Sequence, residues 1–539
     1  MNAVDLLSKE WDRTPVSRER GEASLIVQIT YRLICYLFRA LLFVFYREIV
    51  VEGLDDFPPD GTPTILCCNH GNSLVDPAVL MASIPSKSRS VLRLTAKDSH
   101  FRNGSVSSWL IEKAHAVPIM RQKDHKGQTV SSRNIKTLSK LVDAVDHGDA
   151  ICLFPEGVSR YASQLAPLKT GIARVAAQVL SRHANEPDFK LCVVTTSLTY
   201  LHRTNFRSNV LLVVNPPIVL TPGTHPDLAR TLSEHAEKDD PALKAVRELT
   251  SQIDAALRSG TLDSPSWRIL RIAHTARRIA EPVDSIHQSL GDYVRSTQRW
   301  IELFVSANAP TEDEARAAEN ERIAALAKRL NAYQDQLARV GVKDARIAED
   351  SDAWLIELSG RLLGRIIWCC VLAVIALPGL VLWLPVLVFA KRKERAWRKR
   401  GPTWDVLDEV AQTKVMNGLL AFVGVWVLAM LVTLPVAPVT FFAVPIAMWL
   451  SLRWLEDLAA ALRGGRSLVR LIVLHTTGSD LLMAARAERE SLKAELEHVA
   501  EARGLARATK SSKRLQSRRA YFSIRRRRGR VRWAFICLR

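Results

Sequence analysis

The chain has 539 residues, 48% hydrophobic and 24% charged, which is enough to build cores in the three or four domains that ~150 residues each would give and excludes wholesale disorder. Lysine and arginine number 75 against 55 acidic residues, a formal charge of +20, and fourteen of those cations lie between Arg503 and Arg539 with no carboxylate among them. A mean hydropathy of +0.02 averages a polar body with two uncharged runs, Ile366 to Ala390 and Val415 to Leu452, each longer than the ~18 residues that mark a membrane-embedded segment.

The first 24 residues carry Glu10, Asp12 and Glu19 and no cleavable apolar core, so no secretory signal is expected and the body is expected on the cytosolic side. Leu25 to Tyr46 is apolar but holds Arg32 and Arg39. A helix in the membrane interface, with its arginines snorkelling to headgroups, fits better than a full span; a soluble core helix is the other reading. These residues make up an N-terminal region over 1–48.

Apolar β-type runs follow at Ile49 to Val51, Pro63 to Cys68, Ala116 to Met120, Ala150 to Phe154, Leu191 to Thr196 and Val210 to Val214. Helical periodicity separates them after Asp76, over Ser131 to Val145 and over Leu168 to Leu180. Strands spaced by helices predict an α/β domain over 49–260. Strand signals then vanish, and charged helical periodicity predicts a helical insert over 261–363, with Glu312 to Arg339 as an exposed helix or hairpin.

The first uncharged run is broken at Leu377-Pro378-Gly379, which predicts a hairpin. The second, interrupted between Pro435 and Pro438, is too long for one crossing and suits two. Cations at Arg361, Arg365, Lys391 to Arg400, Lys414 and Arg453 flank both runs, and the positive-inside tendency puts all of them on one side. Membrane hairpins over 364–455 are therefore expected, with a single span in the first run as the alternative. A helical and then basic, unstructured tail fills 456–539. Its Arg525 to Arg528, flanked by Tyr521, Phe522, Trp533 and Phe535, suits an anionic membrane surface better than nucleic acid, which is not expected as a partner.

The cysteines, Cys35, Cys67, Cys68, Cys152, Cys192, Cys369, Cys370 and Cys537, form no CxxC pair and lie mostly in apolar runs. Cys67, Cys68, Cys152 and Cys192 read as small buried hydrophobes on strands, which suits a reducing compartment, and no metal site is expected.

The sharpest local signal is CCNHGNSLVDP, where a strand ends at Asn69-His70 and a helix is predicted to begin with Asp76 as N-cap and Pro77 as its first residue. That spacing lets His70 and Asp76 face each other. Imidazole is well suited to take a proton from an alcohol near neutral pH, and a carboxylate on its other nitrogen fixes the tautomer and stabilises the imidazolium. Ser73 is nearby, but no G-x-S-x-G elbow is present, so the attacking hydroxyl is expected to come from a substrate. The same spacing fits equally a histidine that bonds its turn and an aspartate that caps its helix.

Two further blocks sit just past strand ends, where ligands bind in α/β sheets. AVPIMR ends in Arg121, and ICLFPEGVSR carries Glu156, Gly157, Ser159 and Arg160. A guanidinium fork holds a phosphate dianion well, and a glycine lets backbone N–H groups approach it. Glu156 would repel phosphate, so it is expected to accept a bond from a hydroxyl or to position an arginine. Lys97, Arg93 and Lys169 are further candidates for an anionic group.

Together these blocks resemble the PlsC-like glycerolipid acyltransferase superfamily, whose members carry an NHxxxxD box, a block ending in arginine and an FPEG box. Within it the chain is most similar to the eukaryotic glycerol-3-phosphate/dihydroxyacetone-phosphate acyltransferase branch. The segments that carry this likeness are HGNSLVDP, FPEGVSR followed by LAPLKTGIARVA, TYLHRTNFRS, LNAYQDQLARVGVKD and TWDVLDEVAQTKV. Two departures are visible. Five residues separate His70 from Asp76 where the superfamily has four, so Asp76 supplies the carboxylate; and Val-Ser-Arg-Tyr follows FPEG where the branch tends to Gly-Ser-His-Asp, so Ser159 and Arg160 rank behind Glu156.

The resemblance implies a glycerolipid acyltransferase-like αβ domain with a helical insert and C-terminal transmembrane helices. It implies His70 as general base, Asp76 as its orienter, and Arg121, Glu156 and Gly157 in the acyl-acceptor site. The implied reaction moves a fatty acyl chain from acyl-CoA, a co-substrate, to the sn-1 hydroxyl of glycerol 3-phosphate or dihydroxyacetone phosphate. No cofactor is required, the lipid bilayer is the partner, and the endoplasmic reticulum is the expected location. Acylation of lysophosphatidic acid at sn-2, or a non-catalytic lipid-binding role, are the alternatives.

Overall fold

The computed structural model describes residues 25–85, 89–97, 101, 106–114, 116–119, 139–230, 239–281, 289–344, 347, 355–401 and 407–505. Arg121, the first 24 residues and the arginine-rich tail lie outside them. The chain divides into two compact units, one running to Thr261 and the other from Leu262 onward, with the short stretch Tyr161–Gln164 counted with the second.

The first unit is built on an eight-stranded sheet. Its strands are β1 (Glu48–Glu52), β2 (Thr64–Cys68), β3 (Leu92–Lys97), β4 (Val117–Ile119), β5 (Ala150–Leu153), β6 (Leu191–Tyr200), β7 (Asn209–Val214) and β8 (Ile218–Leu220). They run in the order β1-β7-β6-β2-β5-β3-β4, with β8 on β6, and all neighbours are parallel except β6 with β7 and β6 with β8. Central strands of a parallel sheet are covered on both faces. Accordingly TILCC of β2 and AICL of β5 are buried at every position, while β1 at the sheet edge alternates.

Helices α1 (Leu25–Phe45), α2 (Val75–Ser83), α3 (Val106–Lys113), α4 (Gly171–Arg182) and α5 (Pro241–Ser259) belong to this unit. Ile172 and Val175 of α4 and Val246 and Ile253 of α5 close a core over Ile65, Ile151 and Val193. Each such side chain, taken fully out of water, stabilises the fold by roughly 1.5–3 kcal/mol. α1 buries Tyr31, Ile34 and Leu42 and exposes Ile29, Leu33 and Tyr36. Arg39, expected to snorkel outward, instead donates from Nε to the Ala82 carbonyl at the end of α2 (2.9 Å), where a helix leaves carbonyls without intrahelical partners.

The second unit is helical: α6 (Trp267–Ala280), α7 (Leu290–Ser306), α8 (Glu314–Val340), α9 (Leu355–Arg398), α10 (Val410–Val432), α11 (Ala437–Thr477) and α12 (Ser479–Ala502). The stretch expected as an exposed helix or hairpin is one helix, α8, and only half exposed. Ile323, Leu326, Leu330, Tyr333 and Leu337 recur three and four apart and are buried, the stripe that a helix needs to join a core.

The expected hairpin at Leu377-Pro378-Gly379 does not form. α9 is a continuous helix of 44 residues with Pro378 and Pro385 inside it. In an apolar run, unravelling a turn would leave several backbone groups unpaired, whereas an internal proline removes one bond and bends the helix. Gly379 has a different use, because a Cβ there would collide with Ser451 of α11, so it is the notch through which the two helices approach. α9, α10 and the η-turn-plus-α11 stretch Leu434–Thr477 are each long and apolar enough to cross a membrane.

At the end of α1 the Arg207 guanidinium donates to the carbonyls of Phe43 (2.8 Å), Val44 (3.1 Å) and Tyr46 (2.8 Å). It occupies the negative pole of that helix. Arg207→Ala should destabilise the first unit by about 2 kcal/mol, since hydrogen bonds to a charged group are each worth ~1.5–3 kcal/mol. The variant should show a lower denaturation midpoint and earlier proteolytic cleavage near residue 46; an unchanged midpoint would show that the cap contributes nothing.

Candidate active site

Parallel pairing of β2 with β5, with Leu66 opposite Cys152 and Cys67 opposite Leu153, brings the loops beyond their C-terminal ends side by side. One loop carries His70 and the other Glu156. β6 is β2's other neighbour, and its last residue is Tyr200. Two sequence-predicted residues thus converge through strand register alone.

His70 Nδ1–H donates to Asp76 Oδ2 at 2.9 Å. The imidazole is 13% exposed and the carboxylate 0%. The helix begins two residues earlier than expected, with Leu74 as N-cap, so Asp76 lies within the first turn of α2 and caps nothing. Its carboxylate turns inward instead, accepting from the Asn72 N–H at 2.8 Å and from the Tyr200 hydroxyl at 2.6 Å. Ser73 takes a left-handed backbone (φ 46°) to reverse the chain between the two partners. The His70 ring stacks on Phe154 at 4.2 Å between centroids. Its Nε2, the nitrogen that would accept a proton, makes no hydrogen bond among the described residues.

Glu156 is buried and faces the same turn: Oε1 accepts from the His70 backbone N–H at 2.7 Å and Oε2 from the Ala166 N–H at 3.4 Å. Ser159 Oγ accepts from the Ser73 N–H at 3.1 Å, tying the FPEG loop to the histidine loop a second time. Gly157 is left-handed (φ 69°), and a Cβ there would sit 2.6 Å from Lys169 Nζ. Arg160 is exposed. Lys97 ends β3 on the same sheet edge, since β3 and β5 are parallel. Arg93 does not join them; near the opposite end of β3 it pairs with Asp149 at 2.6 Å.

Sequence reasoning missed Tyr200, Asn72 and Arg203. The Arg203 guanidinium lies against Gly71 and donates to the carbonyls of Gly71 (3.4 Å) and Arg160 (3.3 Å), so it bridges both motif loops. Its segment, TYLHRTNFRS, was visible as a likeness, but nothing in its spacing ties it to a loop 132 positions away.

Burial pushes the thiols of Cys67, Cys68 and Cys152 well up, which disfavours any of them as a thiolate nucleophile beside the histidine. Among the described residues no group of three or more His, Cys, Asp and Glu side chains is placed to hold a metal. The arrangement is an imidazole paired with a buried carboxylate, with Lys169 beside Gly157 and Arg203 beside Gly71, suited to deprotonating a hydroxyl on an anionic molecule.

Burial also raises the Glu156 carboxyl above its ordinary 4.5, with the N–H bonds from His70 and Ala166 working against it. A raised folded-state value means stability that is fully present below the unfolded value and lost as pH rises through the folded one. Glu156→Gln keeps an acceptor for the His70 N–H and never ionises. Its melting temperature relative to the parent should therefore improve as pH goes from about 4 to about 8; a difference independent of pH would show that Glu156 is not strained by its charge.

A family model described as acyltransferase matches residues 48–198, and one described as glycerol-3-phosphate acyltransferase 2 C-terminal domain matches residues 272–401. Glycerol-3-phosphate O-acyltransferase 2 of Saccharomyces cerevisiae is 25% identical over 473 residues, covering 69% of this chain and 60% of that protein. Glycerol-3-phosphate O-acyltransferase 1 of the same yeast is 23% identical, covering 69% and 56%. The chain thus spans about 60% of the length of the curated relatives it matches. Among solved structures, a 1-acyl-sn-glycerophosphate acyltransferase, PlsC, from Thermotoga maritima aligns at a TM-score of 0.28 and 17% identity over 42% of this chain and 79% of that one. The NHxxxxxD and FPEG loops lie on adjacent strand ends inside the first matched region and the second region takes in α9, so the chain carries an acyltransferase domain followed by a segment similar to the C-terminal domain of glycerol-3-phosphate acyltransferase 2.

Proposed function

We propose that the protein transfers a fatty acyl chain from acyl-CoA to the sn-1 hydroxyl of glycerol 3-phosphate, releasing coenzyme A and forming lysophosphatidic acid. The observation that carries the reading is the 2.9 Å bond from His70 Nδ1 to a wholly buried Asp76. It leaves Nε2 basic and ready to take the hydroxyl proton as the oxygen attacks the thioester carbonyl. The imidazolium formed is stabilised by Asp76 and returns its proton to the departing thiolate. The acyl group passes directly between substrates, so atoms balance without an enzyme-bound acyl intermediate.

Acceptor binding falls to Arg121, carried over from its motif, with Gly157, Lys169 and Arg203 close to the histidine loop and Lys97, Ser159 and Arg160 as further contacts. Phosphate has the charge to use such a rim. Dihydroxyacetone phosphate offers the same phosphate and hydroxyl and is the natural second acceptor. Relatives named as glycerol-3-phosphate acyltransferases favour this acceptor over lysophosphatidic acid. The three apolar helices support an integral membrane enzyme, and the endoplasmic reticulum with a cytosolic active site is the proposed setting. A long acyl product prefers lipid to water by ~0.8 kcal/mol per CH₂, which is reason enough to make it at a bilayer.

His70→Ala should lower kcat by roughly 10²–10⁴-fold while the protein stays folded. The assay is labelled acyl-CoA with glycerol 3-phosphate and lysophosphatidic acid in competition. Undiminished turnover would remove His70 as the base, and label entering only lysophosphatidic acid would reassign the acceptor.

Tyr200 acts through Asp76 as a positioning residue. Tyr200→Phe removes one of the donors to the carboxylate and leaves it the stronger partner for the imidazolium. The variant should lose about tenfold in kcat, as expected of a bond to a charge worth ~1.5 kcal/mol, with KM little changed. The acidic limb of its kcat–pH profile should move to higher pH; a fall in activity with an unmoved limb would mean that Tyr200 only supports the fold.

A further inference from the structure

Three helices satisfy the length and apolarity of a membrane crossing, yet the chain on either side of them is joined in one helical core. Leu358 at the start of α9 and Leu468 and Leu471 near the end of α11 are buried in the same cluster as Ile323 and Leu326 of α8 and Leu492 of α12. Ion pairs repeat the connection. Arg329 of α8 binds Glu488 (3.0 Å) and Glu495 (2.6 Å) of α12, and Arg503 binds Glu319 (3.0 Å). A segment before the apolar helices and a segment after them therefore lie on one side of whatever those helices enter. Between two points on one side of a bilayer the number of crossings is even, and three is excluded.

The register of α9 against α11 says which helix is the odd one. Arg365 lies against Gly464, Gly379 against Ser451, and Trp383 Nε1 donates to the Met448 carbonyl at 2.8 Å. Residue numbers rise along one helix as they fall along the other, so the two are an antiparallel pair that covers the same depth, and both cross or neither does. In such a pair the end of α9 and the start of α11 share one end. α10 is tied to that end twice. Lys414 in its second turn pairs with Glu394 of α9 (3.0 Å), and beyond its last turn Thr433 bonds Thr440 of α11 (2.6 Å), with the Trp426 indole N–H donating to the Phe441 carbonyl (3.0 Å). Yet α10 carries no charge from Val415 to Val432 and is exposed or half-exposed along almost its whole length, as a helix must be whose surroundings are hydrocarbon.

We infer that α9 and α11 form a two-pass hairpin and that α10 is a re-entrant helix, buried in the far leaflet and returning to the side from which it entered. The occupant of its exposed apolar surface is lipid acyl chain. The inference rests on the reading of this chain as a membrane protein. It also corrects the expectation that every cationic flank lies on one side: Lys391 to Arg400 sit roughly 39 Å along one helix from Arg365, at ~1.5 Å per residue, and face the compartment opposite the helical core.

The test uses the full chain in sealed vesicles, with single exposed residues replaced in separate variants, Glu312→Cys, Gly401→Cys and Glu497→Cys. Each introduced thiol is treated with a membrane-impermeant maleimide before and after permeabilisation and identified by peptide mass. Positions 312 and 497 should label in the same compartment and position 401 in the other. Labelling of 312 and 497 in opposite compartments would establish an odd number of crossings and overturn the inference, as would 401 labelling together with 312. Carbonate extraction of the same vesicles separates the two levels of the argument, because a chain released by carbonate is not integral and the membrane reading itself then fails.

Discussion

A carboxylate shut away from water must be given a full set of hydrogen-bond donors, and the set supplied to Asp76 organises the first unit. Leaving such a charge short of a partner costs several kcal/mol. Its donors are the His70 ring, the Asn72 backbone and the Tyr200 hydroxyl, which come from the loop after β2 and from the end of β6. Asn72 in turn donates from Nδ2 to the Tyr46 hydroxyl at 3.2 Å, and the Tyr46 ring packs on Tyr200 at 5.9 Å. Tyr46 directly follows α1. The position of that helix, capped by Arg207, is thus mechanically linked to the histidine through two aromatic rings and one amide.

Glu156 braces the histidine loop from the other side. With Oε1 on the His70 N–H it fixes the backbone from which the imidazole projects, while Asp76 fixes the ring. The imidazole is then held at both ends, as the proposed general base requires, because displacement of a catalytic group by about 1 Å is enough to cost orders of magnitude in rate. Two buried carboxylates so close would repel if both faced the reacting atoms. Each is turned toward hydrogen-bond donors of its own, and Lys169 beside Gly157 and Arg203 beside Gly71 bring positive charge to the two loops.

Much of this was legible in the sequence because parallel strands buried on both faces read as uninterrupted apolar runs, and the runs at β2, β5 and β6 stand out as such. His70 with Asp76, and Glu156 with Gly157, were found because loops beyond such strands are where side chains converge. Tyr200 and Arg203 were not, since each reaches the site across more than 120 positions of chain and a tyrosine at a strand end has no local signature. Asp76 was taken for a cap because Asp-Pro before an apolar run is a strong start signal. The desolvated histidine beside it outbid the helix terminus for its carboxylate. Leu377-Pro378-Gly379 misled for a related reason: proline and glycine signal a turn where water can satisfy the backbone, and here the glycine serves close helix packing.

In the second unit the apolar stripe of α8 and the surface ion pairs contribute very differently. Exposed pairs such as Arg329 with Glu488 are worth ~0–1 kcal/mol each, whereas five buried apolar or aromatic side chains at roughly 1.5–3 kcal/mol each dominate the association. The buried pair of Arg489 with Asp344 at 3.0 Å, to which the Tyr333 hydroxyl also donates at 2.8 Å, stands between them: its net contribution to stability is small after desolvation, but a wrong register of α12 would strand its charges. Apolar area therefore holds the helices together, and this one polar cluster selects how α12 meets α8. That selection is what closes the chain on itself around the three long apolar helices, so their arrangement is constrained by packing at their polar ends.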